Sequence, residues 1–210
     1  MLRRRAKRAL LAELPAPRRA PRAGALNRAE LDALGGLATA IEGARAVLTS
    51  GPDKSLVALG LATVEAAGGR RVCLLECDLS RPTVAAELGL AATPGLHEYL
   101  LREAKAPQIL QSLVLAGPAS GQASAPLICI VAGGPAPSPA SLLASERCVD
   151  AIAMLCRAYD LLVIEGPSPA DEPDFIRAMA PLVDSTLLCA EREQLPKRTP
   201  ASVTGLVAVG

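Results

Sequence analysis

The chain has 210 residues, 50% of them hydrophobic and only 1% aromatic, and a formal net charge of +1. That length suits one domain with a real core, which must be built from Ala, Val, Leu and Ile. The balanced charge gives no electrostatic reason to expect nucleic acid as a partner, and no apolar run approaches the ~18 residues that a membrane span needs.

Residues 1–27 read as a flexible leader, rich in Pro and Arg, with Glu13 as its one acid. Such a segment is solvated, or it tethers the chain to an anionic membrane surface or an acidic partner. Residues 28–210 read as one domain. AELDALGGLATAIEGA (29–44) has helical spacing interrupted at Gly35-Gly36. AVLTS (46–50) is a strand, and SLVALGLATVEAAGG is a helix closed by a Gly pair. RVCLLECD (71–78) is an apolar strand ending in acids, followed by short helices in RPTVAAELGL and GLHEYLLREA. After a mixed segment, LICIVAGG (127–134) is a strand. SLLASERCVDAIAMLCRAY (141–159) reads as one long helix. DLLVIEGPSP is a strand ending in an acid, PDFIRAMAPLVD a helix, STLLCAE a strand, and GLVAVG the last strand.

These strands are continuous apolar runs, which means burial on both faces. Their alternation with helices predicts an α/β fold: a doubly wound, mainly parallel sheet with helices on both faces. Ligands of such sheets bind at the C-terminal strand ends. Three strands here end in candidate chemistry: TSGPDKS, ECD and EGPSP. The six cysteines form no CxxC pair and the chain has one His, so a zinc site is not expected. Small buried hydrophobes in a reducing compartment are the expectation for the thiols.

TSGPDKSL (49–56) lies between a strand and a helix, where a phosphate-binding loop would sit. Lys54 is placed to meet phosphate oxygens, and Ser55 to ligate Mg²⁺ at the first turn of the helix. Glu76 and Asp78 reach the same crevice from the second strand, one toward the metal and one as a base. Glu165 is the acid of the third. Each signal alone has a plain structural reading, a helix start or a solvated strand-end acid. Their convergence carries the argument.

With these motifs in view the chain resembles the bacterial tyrosine kinases of capsule and exopolysaccharide synthesis. These are P-loop NTPases related to the ParA and MinD ATPases. The resemblance rests on ECDLSRP (76–82), AGGPAPSPASLL (132–143), AYDLLVIEGPSP, VDSTLLCAE and VTGLVAVG, in one order across residues 28–210. It implies a three-layer P-loop fold and a site for ATP or ADP with Mg²⁺. By resemblance Ser50, Gly51, Asp53, Lys54 and Ser55 form the nucleotide loop. Lys54, Glu76 and Asp78 are the catalytic group, and Ser55, Glu76, Asp78 and Glu165 hold the metal. A membrane-embedded polysaccharide chain-length or export adaptor is the implied partner, with the chain in the cytoplasm at the inner membrane face and able to form a homo-oligomer.

The departures point to a degenerate, regulatory member with weak or lost ATP use. The alternatives are an active tyrosine autokinase and a ParA/MinD-like positioning ATPase. The loop before Lys54 has three residues, Gly51-Pro52-Asp53, fewer than the family's, with Asp in place of Gly. An Asp carboxylate ~4 Å from a phosphate charge costs roughly 4 kcal/mol at an effective dielectric near 20. Two of the three acids are Glu, Ser80 replaces an Arg, and the only tyrosines are Tyr99 and Tyr159. Ala33 and Gly36 stand where the family's ring-assembly helix has arginines.

Overall fold

A computed structural model describes residues 10–15, 28–114, 126–169, 171–196 and 201–210. In chain order the strands are β1 (Leu10–Leu14), β2 (Ala46–Ser50), β3 (Val72–Glu76), β4 (Gln111–Leu113), β5 (Leu127–Ile130), β6 (Leu161–Glu165), β7 (Ser185–Ala190) and β8 (Gly205–Val209). The α-helices are α1 (Arg28–Ala40), α2 (Lys54–Ala67), α3 (Val84–Leu88), α4 (Leu96–Leu100), α5 (Ala106–Ile109), α6 (Pro139–Leu143), α7 (Glu146–Ala158) and α8 (Pro173–Met179). One sheet takes all eight strands in the order β1-β8-β7-β2-β6-β3-β5-β4, parallel except for the β4–β5 pair. This is the doubly wound α/β architecture expected from the continuous apolar strands.

Alternate residues of each central strand feed two cores. Val47, Leu74 and Val163 face the α1–α2–α3 side. Leu48, Leu75 and Ile164 face the side covered by α4, α7 and α8. Nearly all of these side chains are fully buried, so water is excluded from both faces and the strands can be apolar throughout. All six cysteines are free and five are buried. Burial pushes the Cys129 thiol up to about 12 and the Cys148 thiol up to about 11, which suits packing rather than chemistry.

Several elements differ from their sequence reading. The α1 helix runs through Gly35-Gly36 without a break. Leu34 and Leu37 are fully buried, and Leu34 Cδ1 lies 2.6 Å from where a Cβ on Gly60 of α2 would be. Close helix–helix packing thus outweighs the poor helix propensity of two glycines. The expected long helix over 141–159 is two helices. Ser145 ends α6 by donating to the Leu142 carbonyl at 2.6 Å, and it caps α7 by accepting from the Cys148 N–H at 3.3 Å. The mixed segment contains α5 and the short strand β4.

The leader reading needs a correction at its centre. Leu10–Leu14 form β1, parallel to β8, and Leu14 is fully buried. The reason lies across the sheet. Gly205 has no side chain, and Leu11 occupies that space, its Cδ1 2.3 Å from where a Cβ would be. The basic residues 1–9 and 16–27 lie outside the described residues.

Gly205→Val therefore tests the docking of β1. Overfilling that space should lower stability by roughly 1–3 kcal/mol, read as a lower urea midpoint. An unchanged midpoint would show that β1 contributes nothing to the sheet.

Candidate functional site

Parallel strands of one sheet bring their C-terminal ends level. Thr49 of β2 lies opposite Glu165 of β6, and Glu165 lies opposite Glu76 of β3. The chain after each strand lines a cleft of about 420 Å³ at this edge, which is within the size range of small-ligand sites. Lys54 and Ser55 line it from the start of α2, Asp78 and Arg81 from the turn after β3, and Ser168 and Asp171 from the turn after β6.

Lys54 is buried and turned into the cleft. Its Nζ forms an ion pair with Asp78 and lies 3.7 Å from Glu165 Oε1. It does not turn to the neighbouring Asp53. Ser55 Oγ donates to Glu165 Oε1 at 2.8 Å and lies 3.2 Å from Thr83 Oγ1. Four of the expected residues, Lys54, Ser55, Asp78 and Glu165, thus come together.

Glu165 has no exposed surface, and its Oε2 is buried without a hydrogen-bond partner. Burial first, and then the nearby Glu76 charge, push its carboxyl up to about 7; Lys54 and Ser55 pull the other way. A buried orphan carboxylate oxygen beside a serine hydroxyl fits a small divalent cation. Ser55 and Glu165 are the residues that would hold it, and such an ion would neutralise phosphate charge in the cleft. Among the described residues, no cluster of three or more His, Cys, Asp or Glu is arranged to hold a metal without help from other groups.

Glu76 has different work. Its Oε1 accepts from the Thr83 and Val84 N–H groups, and its Oε2 accepts from the Ala132 N–H at 2.8 Å. The carboxylate ties the start of α3 to the end of β5. Burial raises its pKa, and those three N–H groups oppose the shift. Sequence reasoning paired Glu76 with Asp78 because they are two apart. In the fold they have different partners, backbone N–H groups for Glu76 and Lys54 for Asp78.

The loop residues Ser50, Gly51 and Asp53 are also placed by the sheet. Ser50 is buried and donates to the Pro167 carbonyl at 2.6 Å. Gly51 has φ +111°, and a Cβ there would lie 2.3 Å from the Cys189 carbonyl oxygen of β7, so only Gly fits. The Asp53 N–H donates to that same carbonyl at 3.3 Å, and the Lys54 N–H lies 3.4 Å from the Gly51 carbonyl. Pro52 has no N–H. The backbone donors for a phosphate are thus reduced, because Pro52 has none and the Asp53 and Lys54 N–H groups are engaged within the protein. Asp53 does not line the cleft. Its Oδ2 is buried without a hydrogen-bond partner, and burial and then Glu191 push its carboxyl above the usual range. The Asp53 carboxylate thus stands outside the cleft lining, where the sequence reading sets it against a phosphate.

Sequence reasoning missed Arg81 and Asp171, which form an ion pair across the cleft. They are separated by 90 positions, and only the sheet order brings them together.

No protein-family model matches the chain. Over 159 residues it is 30% identical to tyrosine-protein kinase YwqD of Bacillus subtilis (strain 168), spanning 73% of this chain and 63% of that protein. Over 162 residues it is 30% identical to the succinoglycan biosynthesis transport protein ExoP of Rhizobium meliloti (strain 1021), 73% of this chain but 19% of that one. The chain therefore spans less than two thirds of these curated relatives. The solved kinase domain of Escherichia coli tyrosine kinase ETK matches with a TM-score of 0.75 at 18% identity, covering 96% of this chain and 89% of that one. The BceF tyrosine kinase domain matches with a TM-score of 0.64 at 24% identity, covering 86% and 77%. At those identities the solved structures establish the shared fold.

Two outcomes follow from the site. Glu165 has a folded-state pKa raised above its unfolded value, so the folded chain binds the extra proton between the two. Stability from this group is then lost as pH rises from about 4.5 through 7, by up to about 3 kcal/mol. Urea unfolding at pH 5 and pH 8 should show a steeper fall for wild type than for Glu165→Gln; equal falls would place the titration elsewhere. Glu76→Gln puts an amide against backbone N–H donors and should cost about 1–3 kcal/mol of stability. A variant as stable as wild type would remove the structural role assigned to Glu76.

Proposed function

Because the chain belongs to the bacterial tyrosine kinase family, we propose that it is a reduced member, binding nucleotide weakly and acting by regulation rather than by kinase turnover. Its partner in this reading is a membrane-embedded adaptor for polysaccharide chain length or export. The chain works in the cytoplasm at the inner face of the membrane. No helix among the described residues is long and apolar enough to cross a membrane.

The observation that carries the reading is the fate of the loop before Lys54. Three residues close it, one is Pro, and the Asp53 N–H and that of Lys54 just after it are used within the protein. Tight phosphate binding in a P-loop depends on several such N–H groups converging on the ligand. Here the remaining attraction is Lys54, already paired with two carboxylates, the exposed Arg81, and any cation that Ser55 and Glu165 would hold. ATP or ADP with Mg²⁺ is the ligand this remnant suits.

A second reading, an active ATP-dependent tyrosine kinase, has one specific support. Lys54, Ser55, Asp78 and Glu165 converge as a phosphate and metal site requires. Against it, Tyr99 and Tyr159 are half-buried and line an apolar groove beneath α7 rather than standing free as acceptors.

Titration calorimetry of ATP and ADP with Mg²⁺ separates the two. The reduced reading expects dissociation constants of about 0.1–10 mM, with the heat lost in Lys54→Ala. Low-micromolar binding by wild type would overturn it in favour of the kinase. Lys54→Ala leaves Asp78 and Glu165 buried and unpaired, which costs about 3–5 kcal/mol. Its melting curve is therefore recorded alongside, with Ser55→Ala as the companion that keeps the ion pairs.

A further inference from the structure

The cleft has two cations among its described lining residues, Lys54 and Arg81. They are not equivalent. Lys54 is buried, and two carboxylates already compensate its charge. Arg81 is held by its backbone, whose N–H donates to Asp78 Oδ1 at 3.0 Å. Its side chain is 61% exposed and reaches across the mouth to Asp171, itself 37% exposed. Asp171 sits in a tight turn, with its own N–H and that of Glu172 both donating to the Ser168 carbonyl at 3.0 Å. A planar guanidinium with five donors is the natural partner of a phosphate group. Two backbone donors at the loop, the Asp53 and Lys54 N–H groups, are already engaged within the protein.

We infer that Arg81 is the cleft's contact for the polyphosphate end of a nucleotide, and that Asp171 competes with that ligand by holding the guanidinium across the mouth. This rests on the reading of the cleft as a weak nucleotide site and adds its regulation. An exposed ion pair is weak and easily exchanged, so the latch opens when a stronger anion arrives. The phosphate must then displace Asp171 and tolerate its negative charge nearby, and both effects reduce affinity. Anything that draws Asp171 away, such as a cationic surface on a partner, tightens the site.

The test compares full-length wild type, Asp171→Asn and Arg81→Gln by calorimetry with ATP and excess Mg²⁺, at low and at moderate salt. Both positions are exposed, and melting curves confirm that the variants fold. Asp171→Asn should bind about tenfold more tightly than wild type, because a repulsive charge and a competitor are removed together. Arg81→Gln should bind at least fivefold more weakly than wild type or not measurably. The double variant should resemble Arg81→Gln, since the latch has no purpose without the arginine. Equal affinities for wild type and Asp171→Asn overturn the latch while leaving the weak site intact. No binding by Asp171→Asn up to 10 mM ATP, about the limit of such measurements, also overturns it. Low-micromolar binding by wild type refutes the weak-site reading alone, and the latch is still decided by the ratio between wild type and Asp171→Asn.

Discussion

A lysine that is almost completely buried must be neutralised where it stands, and most of this sheet edge follows from that constraint. Lys54 opens α2 with its ammonium between Asp78 and Glu165. Removing a charge from water costs several kcal/mol unless a partner and hydrogen bonds replace the solvent. The strand order supplies those partners. β6 sits between β2 and β3, so the acids that end β3 and β6 flank the chain leaving β2. Ser55, one residue on, is drawn to the same Glu165 carboxylate. One cation cannot satisfy every carboxylate nearby, and Glu165 retains its proton more readily than an ordinary acid. The buried cluster is thus close to balanced by its own side chains.

The shortened loop belongs to the same account. A loop built to hold phosphate leaves its N–H groups free and converging. Here Gly51 lies so close to β7 that a single added carbon would strike the Cys189 carbonyl, and the Asp53 N–H donates to that carbonyl. Ser50 closes the other side by donating to Pro167. These contacts tie the turn to its own sheet.

How much of this the sequence discloses depends on the range of the interaction. Strands buried on both faces announce themselves as unbroken apolar runs, so six of the eight strands are legible locally and the exceptions are the short β4 and β1. The acids at the ends of β3 and β6 are equally legible, because a charge after four apolar residues marks where a strand leaves the core. β1 is not legible. LLAEL becomes a strand because Gly205 leaves room for Leu11, a fact written nearly two hundred positions away. The single long helix over 141–159 fails for a local reason that propensity hides: one serine serves as both the stop of α6 and the cap of α7. Lys54, Ser55, Asp78 and Glu165 were found by pattern. The true use of Glu76, the direction of Asp53 and the Arg81–Asp171 pair depend on three-dimensional neighbours that no spacing encodes.

Three ties now cross the ligand edge of the sheet. Lys54 with Asp78 joins the start of α2 to the turn after β3. Glu76 joins the start of α3 to the end of β5. Arg81 with Asp171 joins the turns after β3 and β6. Each holds two segments at the strand ends together through a protein side chain. A site assembled by its ligand changes shape when the ligand leaves, which is how nucleotide state becomes a signal. A site assembled by its own side chains changes less, because the deep ties are buried and costly to break. Only the outer pair is exposed enough to exchange on small free-energy differences. The contact at this edge that exchanges most easily is therefore the one at its mouth, the exposed Arg81–Asp171 pair.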